Sequence, residues 1–281
     1  MDEQDLYWLA GLLEGEGHFT LGTQRSRCPG IQIRMIDRDV IARVACFFGS
    51  KVYHRPRRFE RWKDTYATSI YGKHSILFMC ALYPLMGLRR KARIKDIVTH
   101  YSSNYQAEFA LSSHCSRGAK LDLYWIAGLL EGEGSFLPGP PSEPNVPRIQ
   151  LFMTDEDVVQ FAATILGVSV YSRSRGRYKR SYQCMLRGQG AMSMMRQIYP
   201  IMGERRQKQI DTAIESYDPY ISSTHNWTTK LDIFSVLNIY KRSQAGENQR
   251  VIAEEYGIHK SIVSCIKNGT LWSSITGAKR T

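Results

Sequence analysis

The sequence predicts an α+β fold: two copies of an α-β-β-α-β-β-α unit, each a four-stranded antiparallel sheet with helices on one face, then a small all-helical domain. Three observations predict it. Residues 5–19, DLYWLAGLLEGEGHF, return as 122–136, DLYWIAGLLEGEGSF. The order downstream is kept: IQIRMIDRDV (31–40) returns as IQLFMTDEDV (149–158), Gly49 with Val52-Tyr53 as Gly167 with Val170-Tyr171, and LYPLMG (82–87) as IYPIMG (198–203). A polar stretch, SSTHNWTTK, begins at Ser222, and apolar helical periodicity resumes beyond it. Repetition at domain length marks a duplication, with halves of about a hundred residues each. The expected boundaries are 1–112, 113–221 and 222–281.

Each half is justified element by element. A helix is predicted from Leu6 to Glu16, with acids at its start, where the helix dipole favours them. Two strands follow; in the second, Ile31, Ile33 and Met35 alternate with Gln32 and Arg34, giving one buried and one polar face. A helix from about Asp37 to Phe48 stops at Gly49. Strands are predicted at 51–57 and 65–71, then helical segments at 75–85 and 88–101, separated by Pro84 and Gly87.

In the tail, Leu231–Arg242 has helical periodicity, Asn248 is placed to cap a short helix ending at Tyr256, Gly257 supplies a turn, and Ser261–Lys267 forms another helix. Ala253, Gly257 and Val263 have helix-turn-helix spacing, with Ile252, Ile258, Ile262 and Ile266 as core. His259, Lys260, Ser261, Ser264, Lys267 and Asn268 would then be the exposed positions of a recognition helix. A plain packing module is the competing reading.

Composition narrows the function. In 281 residues there are 38 Lys+Arg against 26 Asp+Glu, a net charge of +12, which favours a polyanionic partner. No apolar run reaches membrane-spanning length, and the acidic start Met1-Asp2-Glu3 is no signal or transit peptide. No membrane association is expected; the expected location is the cytoplasm, or an organelle interior if organelle-encoded. Six scattered cysteines form no C-x-x-C pair and read as reduced thiols. Walker A, G-x-G-x-x-G, H-E-x-x-H and G-x-S-x-G patterns are missing, so nucleotide hydrolysis, Rossmann redox, zincin and serine-hydrolase chemistry lose their usual support.

The repeated helix carries the chemistry. Gly11 and Gly15, with Gly128 and Gly132, cost roughly 1 kcal/mol each inside a helix against Ala. What they permit is close backbone approach, and the economical partner is the other copy, about a pseudo-twofold axis. Glu14, Glu16, Glu131 and Glu133 crowd the C-terminal helix ends, where the dipole disfavours anions. Such a carboxylate set, with no His or Cys nearby, points to Mg²⁺ or a similar hard cation.

These segments, Leu9–Gly17 and Ile126–Gly134, resemble the signature of the LAGLIDADG homing endonucleases, and the resemblance spans roughly residues 5–217. It implies that the paired motif helices join the halves and that the last acids, Glu16 and Glu133, bind divalent metal: Mg²⁺, with Mn²⁺ or Ca²⁺ able to occupy the same sites. Glutamate stands where the family usually has aspartate. It further implies one cut per DNA strand, short 3′ overhangs and 5′-phosphates. A basic residue after the third helix maps to Arg89 and Arg205. Asp37 and Asp155 fall near a position that orders solvent around the metal; as residues alone they read as N-caps of the following helices.

Basic clusters complete the pattern. Arg55, Arg57, Arg58, Arg61 and Lys63, with Lys51 and His54, lie in and after the third strand; Arg173, Arg175, Arg177, Lys179 and Arg180 repeat them, and Arg25 and Arg27 sit in the first hairpin. On a saddle-shaped sheet these would neutralise phosphates, while Gln32, Arg34, Arg148, Gln150 and Gln183 would read base edges. The two halves differ, so a non-palindromic duplex DNA target is expected, bound by a monomer. Two alternatives share the scaffold: an intron RNA maturase and a non-catalytic DNA-binding regulator. An intein is disfavoured, because no splicing domain flanks the motifs.

Overall fold

The computed structural model describes residues 1–22, 28–57, 59–105, 109–112, 118–140, 143, 145–174, 179–217, 231 and 233–278. The chain divides into two compact units, Met1–Leu137 with Arg148–Asp211, and Pro138–Pro147 with Thr212–Thr281.

The first unit contains both copies of the repeat. Helix α1 (Glu3–Glu16) begins three residues before the predicted start, because the Asp2 carboxylate accepts from the Asp5 N–H at 2.8 Å. Strands β1 (His18–Thr20) and β2 (Gly30–Met35), helix α2 (Arg38–Phe48), and strands β3 (Tyr53–Arg55) and β4 (Thr65–Tyr71) follow. Helix α3 (Gly72–Leu82) passes through a 3₁₀ turn at Tyr83–Leu85, where Pro84 cannot continue the α-helix, into α4 (Leu88–Tyr105). The second copy repeats the series as α5 (Ala119–Glu133), β5 (Gly134–Leu137), β6 (Arg148–Met153), α6 (Glu156–Leu166), β7 (Val170–Arg173), β8 (Ser181–Arg187), α7 (Gly188–Ile198), a 3₁₀ turn at Tyr199–Ile201 and α8 (Glu204–Glu215). β3 is shorter than the predicted 51–57, since only three of its residues pair with β4.

Each copy folds one antiparallel sheet, in the orders β1-β2-β4-β3 and β5-β6-β8-β7. The alternation in β2 holds: Ile31, Ile33 and Met35 are buried, Gln32 is half-buried and Arg34 exposed. The apolar face is covered by α2, whose Val40, Ile41, Val44, Ala45 and Phe48 are buried.

α1 and α5 are the seam between the copies. A β-carbon on Gly11 would lie 2.0 Å from the Trp125 carbonyl oxygen, and one on Gly128 would lie 1.9 Å from the Trp8 carbonyl oxygen. No side chain fits there, so glycine is the residue that lets the two backbones touch. The pseudo-twofold is broken beside it. Trp125 donates its indole N–H to the Leu85 carbonyl at 3.1 Å and packs edge-on against Phe161. In the other copy Arg43 lies 3.9 Å over Trp8 and itself takes the equivalent carbonyl, Ile201, at 3.1 Å, so the Trp8 N–H has no partner among the described residues.

The second unit, beyond residues 138–147 and the end of α8, packs α9 (Ile233–Gln244), α10 (Gln249–Glu255), α11 (Lys260–Lys267) and α12 (Ser273–Thr276) around Val236, Ile239, Ile252, Ala253, Val263, Ile266 and Trp272. Asn248 caps α10 by accepting from the Arg250 N–H at 2.9 Å. His259 caps α11 through Nδ1, and Gly257 turns the chain between them with φ of 61°. Ile258 and Ile262 are only partly buried, and Trp272 completes the core in their place. No described helix is long and apolar enough to cross a membrane.

Candidate active site

The four motif glutamates, grouped together by sequence, separate into two kinds. Glu14 and Glu131 are wholly buried. The Gly87 N–H donates to Glu14 Oε2 at 2.7 Å, and the Gly203 N–H donates to Glu131 Oε2 at 2.7 Å. These N–H groups precede α4 and α8, so each glutamate sits at the C-terminus of its own helix but at the N-terminus of another, where anions are favoured. The helix-end penalty is therefore answered within the protein at these two positions, and no cation is required for them. Burial pushes both carboxyls up to about 7, against the Gly87 or Gly203 hydrogen bond and the nearby Arg90 or Arg206. One oxygen of each, Oε1, has no hydrogen-bond partner among the described residues.

Arg90 and Arg206 were missed by the sequence reading. Arg90 Nη2 donates to the carbonyl oxygens of Glu14 and Gly15, both at 3.0 Å, and Arg206 donates to those of Glu131 (2.9 Å) and Gly132 (2.8 Å). Each therefore satisfies the free carbonyls of a motif helix end. Each guanidinium also lies 3.9 Å from the buried glutamate oxygen of the same helix. The adjacent arginine pairs in the sequence, 89–90 and 205–206, held the only signal.

Glu16 and Glu133 are the second kind, half-buried, each lying across the seam against the glycine that precedes the other. A β-carbon on Gly15 would lie 2.7 Å from Glu133 Cγ, and one on Gly132 would lie 2.9 Å from Glu16 Cγ. Both carboxyls are raised, Glu16 by burial and then by the Glu133 charge, Glu133 by burial against Arg206 and Arg90. Like charges that raise one another in this way are relieved by a proton or by a cation. Among the described residues no cluster of three or more His, Cys, Asp or Glu could hold a metal by itself. An oxygen pair of this kind fits a hard divalent ion that takes its remaining ligands from water and from a phosphate. The expectation that no histidine is near needs correcting: His18 lines the same groove as Glu16.

Arg89 and Arg205 do not point freely at the motif acids. Arg89 grips Asp155 at 2.7–2.9 Å, and Arg205 grips Asp37 at 2.7 Å from two nitrogens, each pair joining opposite copies. Asp37 and Asp155 occupy the N-cap positions of α2 and α6 but make no side-chain capping bond. The capping expectation fails because a charged, bidentate partner outcompetes a backbone N–H. Asp39 and Asp157 do cap helices, though not their own: the Leu88 N–H donates to Asp157 at 2.6 Å and the Glu204 N–H to Asp39 at 2.8 Å.

The polar sheet faces lie beside the acids. Glu16, His18, Gln32, Arg34, Tyr53 and Arg55 line a groove of about 510 Å³ over the first sheet. On the second sheet the register puts Ser135, Gln150 and Met185 in one row, Phe152, Gln183 and Tyr171 in another, and Leu137, Arg148 and Arg187 in a third. Arg187, not foreseen, stands opposite Arg148, whose Nε is buried with no partner among the described residues. Tyr53, Tyr71, Phe152 and Tyr171, also unforeseen, expose large rings on these faces. Arg173, Lys179 and Arg180 are exposed, as are Arg57, Arg61 and Lys63. Arg25, Arg27, Arg58, Arg175 and Arg177 lie outside the described residues. In the tail, His259, Lys260 and Ser261 are exposed, while Ser264 and Lys267 are half-buried.

No family model matches the sequence, and no curated protein matches it. Solved structures do match in fold. The LAGLIDADG meganuclease I-AabMI, bound to uncleaved DNA, aligns with a TM-score of 0.51 at 16% identity, over 75% of this chain and 90% of that one. The I-LtrWI LAGLIDADG homing endonuclease, bound to target DNA, aligns at 0.46 and 13% over 95% and 98%, and I-SmaMI at 0.45 and 12% over 76% and 91%. With two motif helices crossing on glycine and one four-stranded sheet following each, the chain has the fold of the LAGLIDADG homing endonucleases in its single-chain, two-motif form.

Proposed function

We propose that this protein is a monomeric, divalent-metal-dependent endonuclease that cuts both strands of a long, non-palindromic DNA site. The observation that carries the reading is the placement of Glu16 and Glu133: two half-buried carboxylates from two helices, each packed against the other helix's glycine, with the Glu133 charge felt at Glu16. Glu16 and Glu133 would hold Mg²⁺, which when bound supplies positive charge to the scissile phosphates and acidifies a water ligand. The chain's own contribution is positional. Gly15 and Gly132 make room for the opposite glutamate's side chain, Arg90 and Arg206 fix the helix ends that carry these glutamates, and the Arg89–Asp155 and Arg205–Asp37 pairs lock the copies in register.

DNA is the substrate the surface favours. A net charge of +12 accompanies two sheet faces bearing Gln, Arg and Tyr, residue types that bond base edges and stack on sugars and bases. The faces differ at matched positions: Arg34 against Phe152, Ala67 against Gln183, Ser69 against Met185, and Tyr71 against Arg187. Two different faces read two different half-sites. The helices of the tail, with His259, Lys260 and Ser261 exposed at the start of α11, would extend the footprint as a helix-turn-helix.

The test is cleavage of a randomised duplex library in Mg²⁺ by the wild-type protein, Glu16→Gln and Glu133→Gln. Recovery of one asymmetric site, cut on both strands by the wild type and at most nicked by either variant, is the expected result. Duplex binding without cutting in Mg²⁺ or Mn²⁺ would replace the nuclease with a regulator, and preference for RNA would replace it with a maturase. Deleting 222–281 should shorten the footprint on one side; an unchanged footprint removes the tail from DNA binding.

A further inference from the structure

The turn between β3 and β4 carries a feature that the site above does not use. The Trp62 N–H donates to the Phe59 carbonyl at 3.0 Å, closing a β-turn over residues 59–62. The turn brings the first and last side chains together, and the Phe59 and Trp62 rings meet edge to face with centroids 4.8 Å apart. Both stay open to solvent, Phe59 at 55% and Trp62 at 49% exposure.

The loop is held ready. Asp64 bonds His54 Nε2 at 2.8 Å and accepts from the Arg57 N–H at 3.0 Å, while Arg57 Nη1 reaches the Glu60 carbonyl at 3.1 Å. His54 also stacks on Tyr66. The rings are surrounded by positive charge: Arg57, Arg61 and Lys63 are exposed, and Arg61 lies 5.9 Å from the Phe59 ring centre. Aromatic tips inside a cationic collar complement a polyanion that has apolar faces to offer, and because this loop joins two strands of the sheet proposed to lie on the duplex, that polyanion is nucleic acid.

Position in the sheet says where along the DNA this tip would act. β3 is the outermost strand in the order β1-β2-β4-β3, and β1 follows the motif helix directly. At about 4.8 Å per strand, the tip's strand is roughly 14 Å across the sheet from β1, or about four base pairs from the bases that β1 faces. The matching segment of the second copy, 174–180, has a single aromatic residue, Tyr178, and no Phe–Trp pair.

We infer that Phe59 and Trp62 form an aromatic wedge that enters a base-pair step at the outer end of one half-site and partly unstacks it. The inference rests on the duplex-DNA reading above. It makes the site's specificity depend on the deformability of a step as well as on base edges, and on one side only.

The experiment uses the full chain in Ca²⁺ and a duplex obtained by binding selection from a randomised pool. 2-Aminopurine is placed at successive positions through both half-sites. The wild type should raise fluorescence at one or two neighbouring outer positions of a single half-site. Phe59→Ala/Trp62→Ala should abolish that rise and weaken binding about tenfold, with an unchanged thermal midpoint. Phe59→Leu/Trp62→Leu, which keeps apolar bulk, should retain part of the rise. A flat profile in the wild type, or one unchanged in the alanine variant, overturns the wedge while leaving DNA binding intact. A wild-type protein that selects no duplex overturns both readings together.

Discussion

Arg206 holds the end of the helix that carries Glu131: it donates to the Glu131 carbonyl at 2.9 Å and lies 3.9 Å from that residue's buried carboxylate. One guanidinium thus satisfies helix-end carbonyls and balances a buried acid. Arg206→Met removes both functions and should cost about 3–5 kcal/mol, as uncompensated buried charge does. Urea unfolding at pH 8 measures it. Arg206→Met/Glu131→Gln should recover at least half; no recovery would mean that packing, and not charge, is what Arg206 supplies.

The seam between the copies tolerates nothing larger than glycine. A β-carbon on Gly11 would sit 2.0 Å from a backbone oxygen that cannot move without moving α5. Gly11→Ala is expected to lower the melting midpoint by about 10 °C through overpacking. Gly49→Ala is the control: its φ is +61°, but nothing lies within 4 Å, so only the left-handed backbone costs, roughly 1–2 kcal/mol. Equal effects at the two positions would dismiss close helix contact as the reason for Gly11.

Stability should fall as pH rises from about 4.5 to about 7. The folded protein holds the Glu14 and Glu131 carboxyls near 7, above the ordinary value of 4.5. Between those values the folded state binds the extra proton, so the unfolding free energy declines with increasing pH and levels off above about 7. Glu14→Gln keeps an acceptor for the Gly87 N–H and carries no charge. It should flatten the slope, as read from urea midpoints between pH 5 and 8. A slope identical in wild type and variant would show that burial does not control this group.

Arg187 stands opposite Arg148 on the second sheet, where the first copy has Tyr71 opposite Gly30. Both lie on the sheet face that carries Gln150 and Gln183, where the proposed duplex would lie. Arg187→Gln should lower affinity by about 1–3 kcal/mol and relax preference at one position of one half-site, as Arg-to-guanine contacts do. Site selection with the variant reads this. A uniform loss across all sequences would make Arg187 a phosphate contact.

Much is legible in the sequence alone. The duplication, the order of elements, the alternation in β2 and the glycine-dependent meeting of the motif helices all follow from repeats and periodicity, which are local properties of the chain. Three of the tail helices, α9, α10 and α11, were placed to within a few residues by Asn248, Gly257 and apolar spacing, while α12 was not foreseen. What tertiary structure decided is which polar group meets which. Asp155 is an N-cap by sequence yet binds Arg89 from the other copy, and Glu14 is a helix-end liability by sequence yet faces the start of another helix. Those partners are far apart in the chain and become neighbours only when two copies close about a pseudo-twofold axis. Local pattern encodes which face of an element is buried; charge pairing depends on distance and direction in space, and only the assembled fold supplies those.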